Sequence, residues 1–263
     1  MHKPILFLGI CGLLWAGAGL VPGQEEEQAP KKKILMYSQS DGFRHGVVRR
    51  PLTGELSFAE GIFKEIATKA GYEVFVSQCF HDLRGRKDFD NYDAIVFYSS
   101  GDVKIDKEAL YAWTRDGGAF IGIHSATDTW KGDPEYVNFI GGAFKTHGAG
   151  DREVTLKVED RDHPATRMLG AEWKLVDEIY HHENFSRDNM HVLISVDTEK
   201  TDLGPQRMEA DGDYPVAWTR TEGNGRVFYT ALGHRNEVWE DSVFQEHLLA
   251  GIAWALREKN GDQ

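Results

Sequence analysis

The sequence predicts an α/β domain of three layers, αβα, around a mostly parallel sheet, with a β-rich C-terminal half. In the first half, short apolar runs end in small or polar loops and alternate with segments whose apolar residues recur at helical spacing. Beyond Gly150 the pattern turns to alternating and apolar runs with a hairpin signal. No Pro/Ser-rich linker interrupts the chain after residue 34, which favours one domain.

The first strand is Ile34-Leu35-Met36-Tyr37, ending at the loop Ser38 to Gly42. Leu56, Ala59, Ile62, Phe63, Ile66, Ala67 and Ala70 follow at helical spacing and stop at Gly71, a residue suited to the left-handed position past a helix end. Glu73 to Gln78 gives a second strand, and Asp93 to Tyr98 a third that ends at Ser99-Ser100-Gly101-Asp102. Lys107 to Asp116 reads as a helix closed by Gly117-Gly118, with Ala119 to Ile123 the next strand. Strands joined by helices pair in parallel through right-handed crossovers, and ligands collect at their carboxyl ends. Later strands are Glu153 to Val158, His191 to Val196, Pro215 to Thr219 and Arg226 to Leu232, the last two flanking the turn Glu222-Gly223-Asn224-Gly225. An amphipathic helix from Ser242 to Arg257 closes the chain.

Residues 1–23 carry one early Lys, an apolar core from Ile5 to Trp15 and small residues before Gly23, the layout of a secretory signal rather than of a membrane span. Residues 24–33 lack an apolar period and read as a linker, leaving 34–257 as the domain. The expected location is periplasmic or secreted, with no membrane association once the signal is removed. Of the two cysteines, Cys11 falls inside the signal, so the mature chain keeps Cys79 alone and must be held by its core. Cys79 ends the second strand without cationic neighbours and reads as a buried structural thiol. The balance of 30 Lys and Arg against 42 Asp and Glu, a formal charge of -12, disfavours nucleic acid as a partner. It suits a neutral or cationic small ligand or a metal, and it allows a homo-oligomer. Seven Trp and nine Tyr fit a sugar-stacking surface, with core packing the weightier reading.

The turn Gly122-Ile123-His124-Ser125-Ala126 follows a buried strand and feeds a helix, the position where an α/β enzyme holds its nucleophile. Here the residue is His124, which suits a general base or a metal ligand better than acyl chemistry. His45, His147 and His234 lie in comparable loops, and His45, Ser99, Gly101, Asp102 and His147 are candidate substrate contacts on the rim. Asp177-Glu178-Ile179-Tyr180-His181-His182-Glu183 is the densest group of ligand-type residues; if extended, it sets Glu178, Tyr180 and His182 on one side and Asp177, Ile179 and His181 on the other. The candidate ligands of a divalent metal, zinc or manganese, are His45, His124, His147, Glu178 and His182, although their spacing matches no zinc signature. His163-Pro164 could start a helix with the imidazole packed or capping. No Gly-x-Ser-x-Gly and no phosphate-cradling loop is present.

From Lys33 to Leu256 the chain resembles the ThuA-like proteins, a branch of the class I glutamine amidotransferase-like superfamily associated with trehalose and related disaccharide utilisation. The resemblance rests on Phe43-Arg44-His45, Tyr92 to Val96, Gly118 to His124, Gly141-Gly142-Ala143-Phe144, His163-Pro164, Asp177 to Tyr180, Pro215 to Trp218 and Gly225 to His234, in this order. It implies a flavodoxin-like, amidotransferase-like sheet. In the wider superfamily the elbow holds a cysteine, and a His with a nearby Glu follows a late strand. By chain order, His124 stands in place of the cysteine, and His234 with Glu237 stands where that pair is expected. The resemblance thus implies the scaffold, the position of the site and a sugar ligand, but not the reaction; without a thiolate no glutamine hydrolysis is expected, and the candidate catalytic residues are His124, Glu178, His234 and Glu237. The expected activity is that of a hydrolase or lyase on a disaccharide or keto-type glycoside. The alternatives are a sugar-binding or regulatory module without catalysis and, less favoured, a cysteine-dependent amidase using Cys79.

Overall fold

A computed structural model describes residues 1, 30–148, 150–203 and 212–258. The chain divides into Met1–Pro30 and Lys31–Gln263. The expected signal and residues 24–29 of the expected linker lie outside the described residues, Met1 apart. No helix among the described residues is long and apolar enough to cross a membrane.

The second unit begins with β1 (Lys33–Tyr37), α1 (Phe58–Lys69), β2 (Glu73–Ser77), α2 (Arg86–Phe89), β3 (Ala94–Phe97), α3 (Lys107–Arg115), β4 (Ala119–Ile123) and α4 (Pro134–Ile140). It continues with β5 (Ala143–Thr146), β6 (Arg152–Val158), β7 (Glu172–Asp177), β8 (His181–Glu183), β9 (His191–Val196), β10 (Pro215–Glu222), β11 (Gly225–Thr230), α5 (Asn236–Glu240) and α6 (Ser242–Ala255). Nine strands form one sheet in the order β2-β1-β3-β4-β11-β10-β9-β6-β7, and β5 pairs with β8 separately. The block β2, β1, β3, β4 and β11 is parallel. From β11 outward, β10, β9, β6 and β7 pair antiparallel. The hairpin predicted at Glu222 to Gly225 thus joins the two halves, β11 running parallel to β4 on one side and antiparallel to β10 on the other.

The central strands are buried on both faces, as a parallel sheet between two helical layers requires. On one face Phe120 of β4 meets Phe139 of α4 with ring centroids 4.9 Å apart, and Tyr111 of α3 meets the same ring at 5.2 Å. On the other, Gly251 of α6 lies against Phe228 of β11 so closely that a Cβ would sit 2.3 Å from the ring. The helix starts follow local chemistry: Asp106, Asp133 and Asp241 accept backbone N–H groups at the starts of α3, α4 and α6.

The start of α1 does more. Ser57 and Glu60 form a reciprocal capping box, and the Glu60 carboxylate, fully buried, also takes Arg50 Nε at 2.8 Å, Gln78 Nε2 at 2.9 Å and the Ser38 hydroxyl. This one group ties the loop after β1 to α1 and to the end of β2. Burial pushes its pKa up, but Arg50, Ser38 and the Ser57 N–H outweigh that and hold it below the ordinary 4.5.

Two expectations need correction. Cys79 is exposed rather than buried, because β2 is an edge strand and the chain leaves it along the surface. His163-Pro164 opens a turn, not a helix, in which His163 Nδ1 accepts the Ala165 N–H at 3.1 Å.

Glu60→Ala is expected to lower the unfolding free energy by about 2–4 kcal/mol, read by denaturant titration, since it removes a cap and leaves Arg50 half-buried without its partner. Because the folded pKa is depressed, this contribution is complete above the unfolded-state pKa and fades as the pH falls through the folded one. The gap between wild type and variant should therefore narrow on acidification and stay constant at neutral pH.

Candidate functional site

Four parallel strands deliver residues to one rim. His45 follows β1, Tyr98 follows β3, His124 follows β4 and His234 follows β11, all at carboxyl ends. Glu178 follows β7 of the antiparallel half, and the separate β5–β8 pair brings Tyr180, just before β8, and His147, just after β5. The two halves of the sheet thus close on the same edge from opposite sides.

His124 is the best-anchored member. Its backbone takes φ 45°, a left-handed conformation that costs a non-glycine residue on the order of 1–3 kcal/mol and that re-aims the side chain at the end of the strand. Several bonds hold it there. Nδ1 lies 2.7 Å from Ala231 O, and the Tyr229 hydroxyl donates to His124 O at 2.7 Å. Since a carbonyl only accepts, Nδ1 carries a proton, which leaves Nε2 as the nitrogen that faces the site. That Nε2 is buried, has no hydrogen-bond partner among the described residues and lies 3.5 Å from Glu178 Oε2. In the neutral ring that nitrogen and the carboxylate oxygen are a repulsive pair of acceptors, so a proton or a cation belongs between them.

Glu178 is the hub. Its other oxygen lies 3.2 Å from His147 Nδ1, and one oxygen, one His45 nitrogen and one His234 nitrogen all lie within 4.8 Å of one another. Burial raises the Glu178 pKa, but His124, His234 and His147 together outweigh it and keep the carboxyl below its usual range. His45 is pushed down to about 2, mainly by burial and then by His124, His234 and His147, so it stays neutral and able to coordinate. Its Nδ1 has no partner among the described residues, and its Nε2 lies 3.3 Å from the Tyr180 hydroxyl. Two imidazoles and a carboxylate, with one buried nitrogen of His45 otherwise unsatisfied, are a donor set suited to a divalent transition metal such as zinc or manganese.

The fit differs in part from the expected set. His45 and Glu178 take part, and His234, expected only as acid or base, joins them. His124 stands beside the trio, with its ring centroid 4.7 Å from that of His45 and 5.3 Å from that of His234. His147 reaches Glu178 from the half-exposed margin. His182 does not join the trio: its Nε2 lies 3.3 Å from both Thr127 Oγ1 and Tyr229 OH, and burial, then His181 and His124, lower its pKa to about 3. It belongs to the layer behind the elbow.

The expected His234–Glu237 pair is not formed. Glu237 turns outward to Arg235, 2.9 Å from Nη2, because α5 begins there and carries it to the surface. Asp151 instead holds His234, with Oδ1 2.8 Å from Nδ1, and Asp177 holds the backbone of the loop by accepting Gly233 N–H at 2.7 Å and Arg235 N–H at 3.2 Å. Burial raises the Asp177 pKa, opposed by His124, the Gly233 and Glu178 N–H groups and His234. Asp151 is remote in sequence and carries no local signal; Asp177 adjoins Glu178 and was legible only as part of the cluster.

On the remaining rim loop, Ser99 Oγ is buried against Thr129 Oγ1 at 2.8 Å, and Asp102 is exposed. Gly101 has φ 72°, and a Cβ there would sit 2.3 Å from Gly42 N, so glycine is required where the loops after β1 and β3 touch.

A family model described as trehalose utilisation, ThuA, matches residues 33–255. Among solved structures, a ThuA-like protein from Bacteroides uniformis ATCC 8492 is similar at TM-score 0.67 and 23% identity, covering 92% of this chain and 98% of that one. A ThuA-like protein from Parabacteroides merdae ATCC 43184 gives 0.66 and 19%, covering 87% and 90%. A cytoplasmic protein from Salmonella typhimurium LT2 gives 0.55 and 11%, covering 82% and 96%. No curated protein matches the chain.

If Asp151 orients His234 as a ligand, Asp151→Ala should weaken zinc or manganese binding about 10–100-fold by calorimetry. Glu237→Ala, which breaks only an exposed pair, should change it by no more than about twofold.

Proposed function

Since this chain belongs to the ThuA family, described as trehalose utilisation, we propose that it is a metal-dependent enzyme acting on a disaccharide or its keto-glycoside form, exported to the periplasm or beyond. The family places the chain with sugar metabolism; the reaction is argued from the site. The observation that carries it is His124, whose Nδ1 bond aims a buried, unpartnered Nε2 at a group of two imidazoles and a carboxylate.

His45, Glu178 and His234 would hold the ion. A divalent cation bound there supplies Lewis acidity to a carbonyl or leaving oxygen. His124 Nε2 is the base: it takes a proton from the carbon beside a sugar carbonyl, or from a water that attacks the glycosidic carbon, and the glycosidic C–O bond breaks with its electron pair passing to the departing oxygen. His147, half exposed and 3.2 Å from Glu178, stands where it can deliver a proton to that oxygen. Tyr180, whose ring centroid is 4.2 Å from that of His124, and Tyr98 keep the base in a largely apolar wall. The elbow lacks a cysteine, so no glutaminyl thioester forms. The N-terminal apolar run and the single cysteine of the remaining chain support export.

The test is a screen of disaccharides and their 3-keto forms with metal-loaded protein, repeated on His124→Asn, since Asn tolerates the left-handed backbone. Turnover should fall by at least about a hundredfold while the thermal midpoint stays near that of wild type. Retained turnover would remove His124 from the mechanism. Tight sugar binding by wild type without any product would instead identify a binding module on the same fold.

A further inference from the structure

Aromatic content suited to sugar stacking was legible in the sequence, but not where it would lie. Trp113, Trp130, Trp173, Trp218 and Trp239 are buried in the core, as are all the described tyrosines but Tyr92, which is half-buried. Among the described residues the exposed large aromatics are four phenylalanines: Phe43, Phe58, Phe75 and Phe80. Phe58 opens α1, Phe75 packs on Tyr92 and Phe80 packs on His81. Phe43 alone touches the site. The residue is 68% exposed, and its ring meets that of His45 edge to face, with centroids 4.9 Å apart.

The segment that carries it is fixed. Asp41 N–H and Gly42 N–H both donate to Ser100 O at 2.9 and 3.3 Å, Ser100 Oγ donates to Phe43 O at 2.5 Å, and Gly101 packs on Gly42 without room for a Cβ. The sequence thus ties the Phe43 backbone to the rim while leaving the ring in water, forgoing most of the hydrophobic gain that burying it would bring. An aromatic face on an anchored backbone beside a cluster of polar side chains suits the apolar C–H face of a pyranose ring and loses little entropy on binding.

We propose that Phe43 is a stacking platform for the second ring of a disaccharide, the unit next to the one whose oxygens reach the His45, Glu178 and His234 cluster. The proposal rests on the reading of this site as a sugar site, and it assigns the site to substrates of at least two sugar units.

The experiment is calorimetry with metal-loaded full-length protein, using trehalose, other glucose disaccharides and glucose as probes, on wild type, Phe43→Ala and Phe43→Trp. Phe43→Ala should weaken the preferred disaccharide about three- to tenfold, leave glucose within about twofold, and be rescued by Phe43→Trp. Disaccharide binding equal in wild type and Phe43→Ala would overturn the platform and leave the sugar site standing. Equal binding with a change of oligomeric state by light scattering would also overturn it, marking Phe43 as a contact between copies. No binding of any sugar by wild type would overturn the sugar reading and the platform with it.

Discussion

The structure depends on the hold exerted on His124. A histidine at φ 45° at the end of a central strand is strained, and the strain persists only where several bonds oppose it. Ala231 O fixes the ring, and the Tyr229 hydroxyl fixes the carbonyl. Both belong to or adjoin β11, which pairs in parallel with β4. The position of β11 therefore decides both the orientation and the tautomer of the residue at the elbow. Each such bond contributes about 1 kcal/mol net, enough in sum to offset the backbone cost.

The same strand brings His234. Its loop is set by a buried carboxylate, Asp177, and is further pinned at Gly233 O by Tyr98 OH at 3.0 Å and Trp239 Nε1 at 2.8 Å. Asp177 ends β7, far across the antiparallel half, and the next residue is Glu178. One short stretch of chain thus supplies both the carboxylate that faces the histidines and the one that holds a histidine loop in place. The burial that makes His45 hard to protonate also makes an unpaired Glu178 charge costly, and a cation answers both.

Most of the scaffold was legible because it follows from local pattern. Apolar runs bounded by polar loops gave the parallel strands, Gly71 and Gly117-Gly118 gave helix ends, and the Gly223-Asn224 turn gave the last hairpin. His45, His124 and His234 were legible as residues on one rim because parallel strands put their carboxyl ends together, His147 by its similar Gly-rich loop, and Glu178 as part of the ligand-rich stretch Asp177 to Glu183. What was not legible depends on long-range contact. Asp151 and His234 are brought together only by tertiary structure, and chain order alone suggested Glu237, which the start of α5 turns outward. Exposure of Cys79 was equally hidden, since an edge strand and a central strand can share one sequence pattern. An extended reading of Asp177 to Glu183 set Glu178, Tyr180 and His182 on one side, although only Asp177, at the end of β7, and His181–Glu183 are in regular strands there.

The central claim is that His45, Glu178 and His234 bind one divalent cation beside His124. Anomalous diffraction from crystals grown with zinc or manganese tests it most directly. The account predicts a single strong peak about 2.0–2.3 Å from a nitrogen of His45, an oxygen of Glu178 and a nitrogen of His234. A peak elsewhere, or none at this site with the metal in excess, would contradict it.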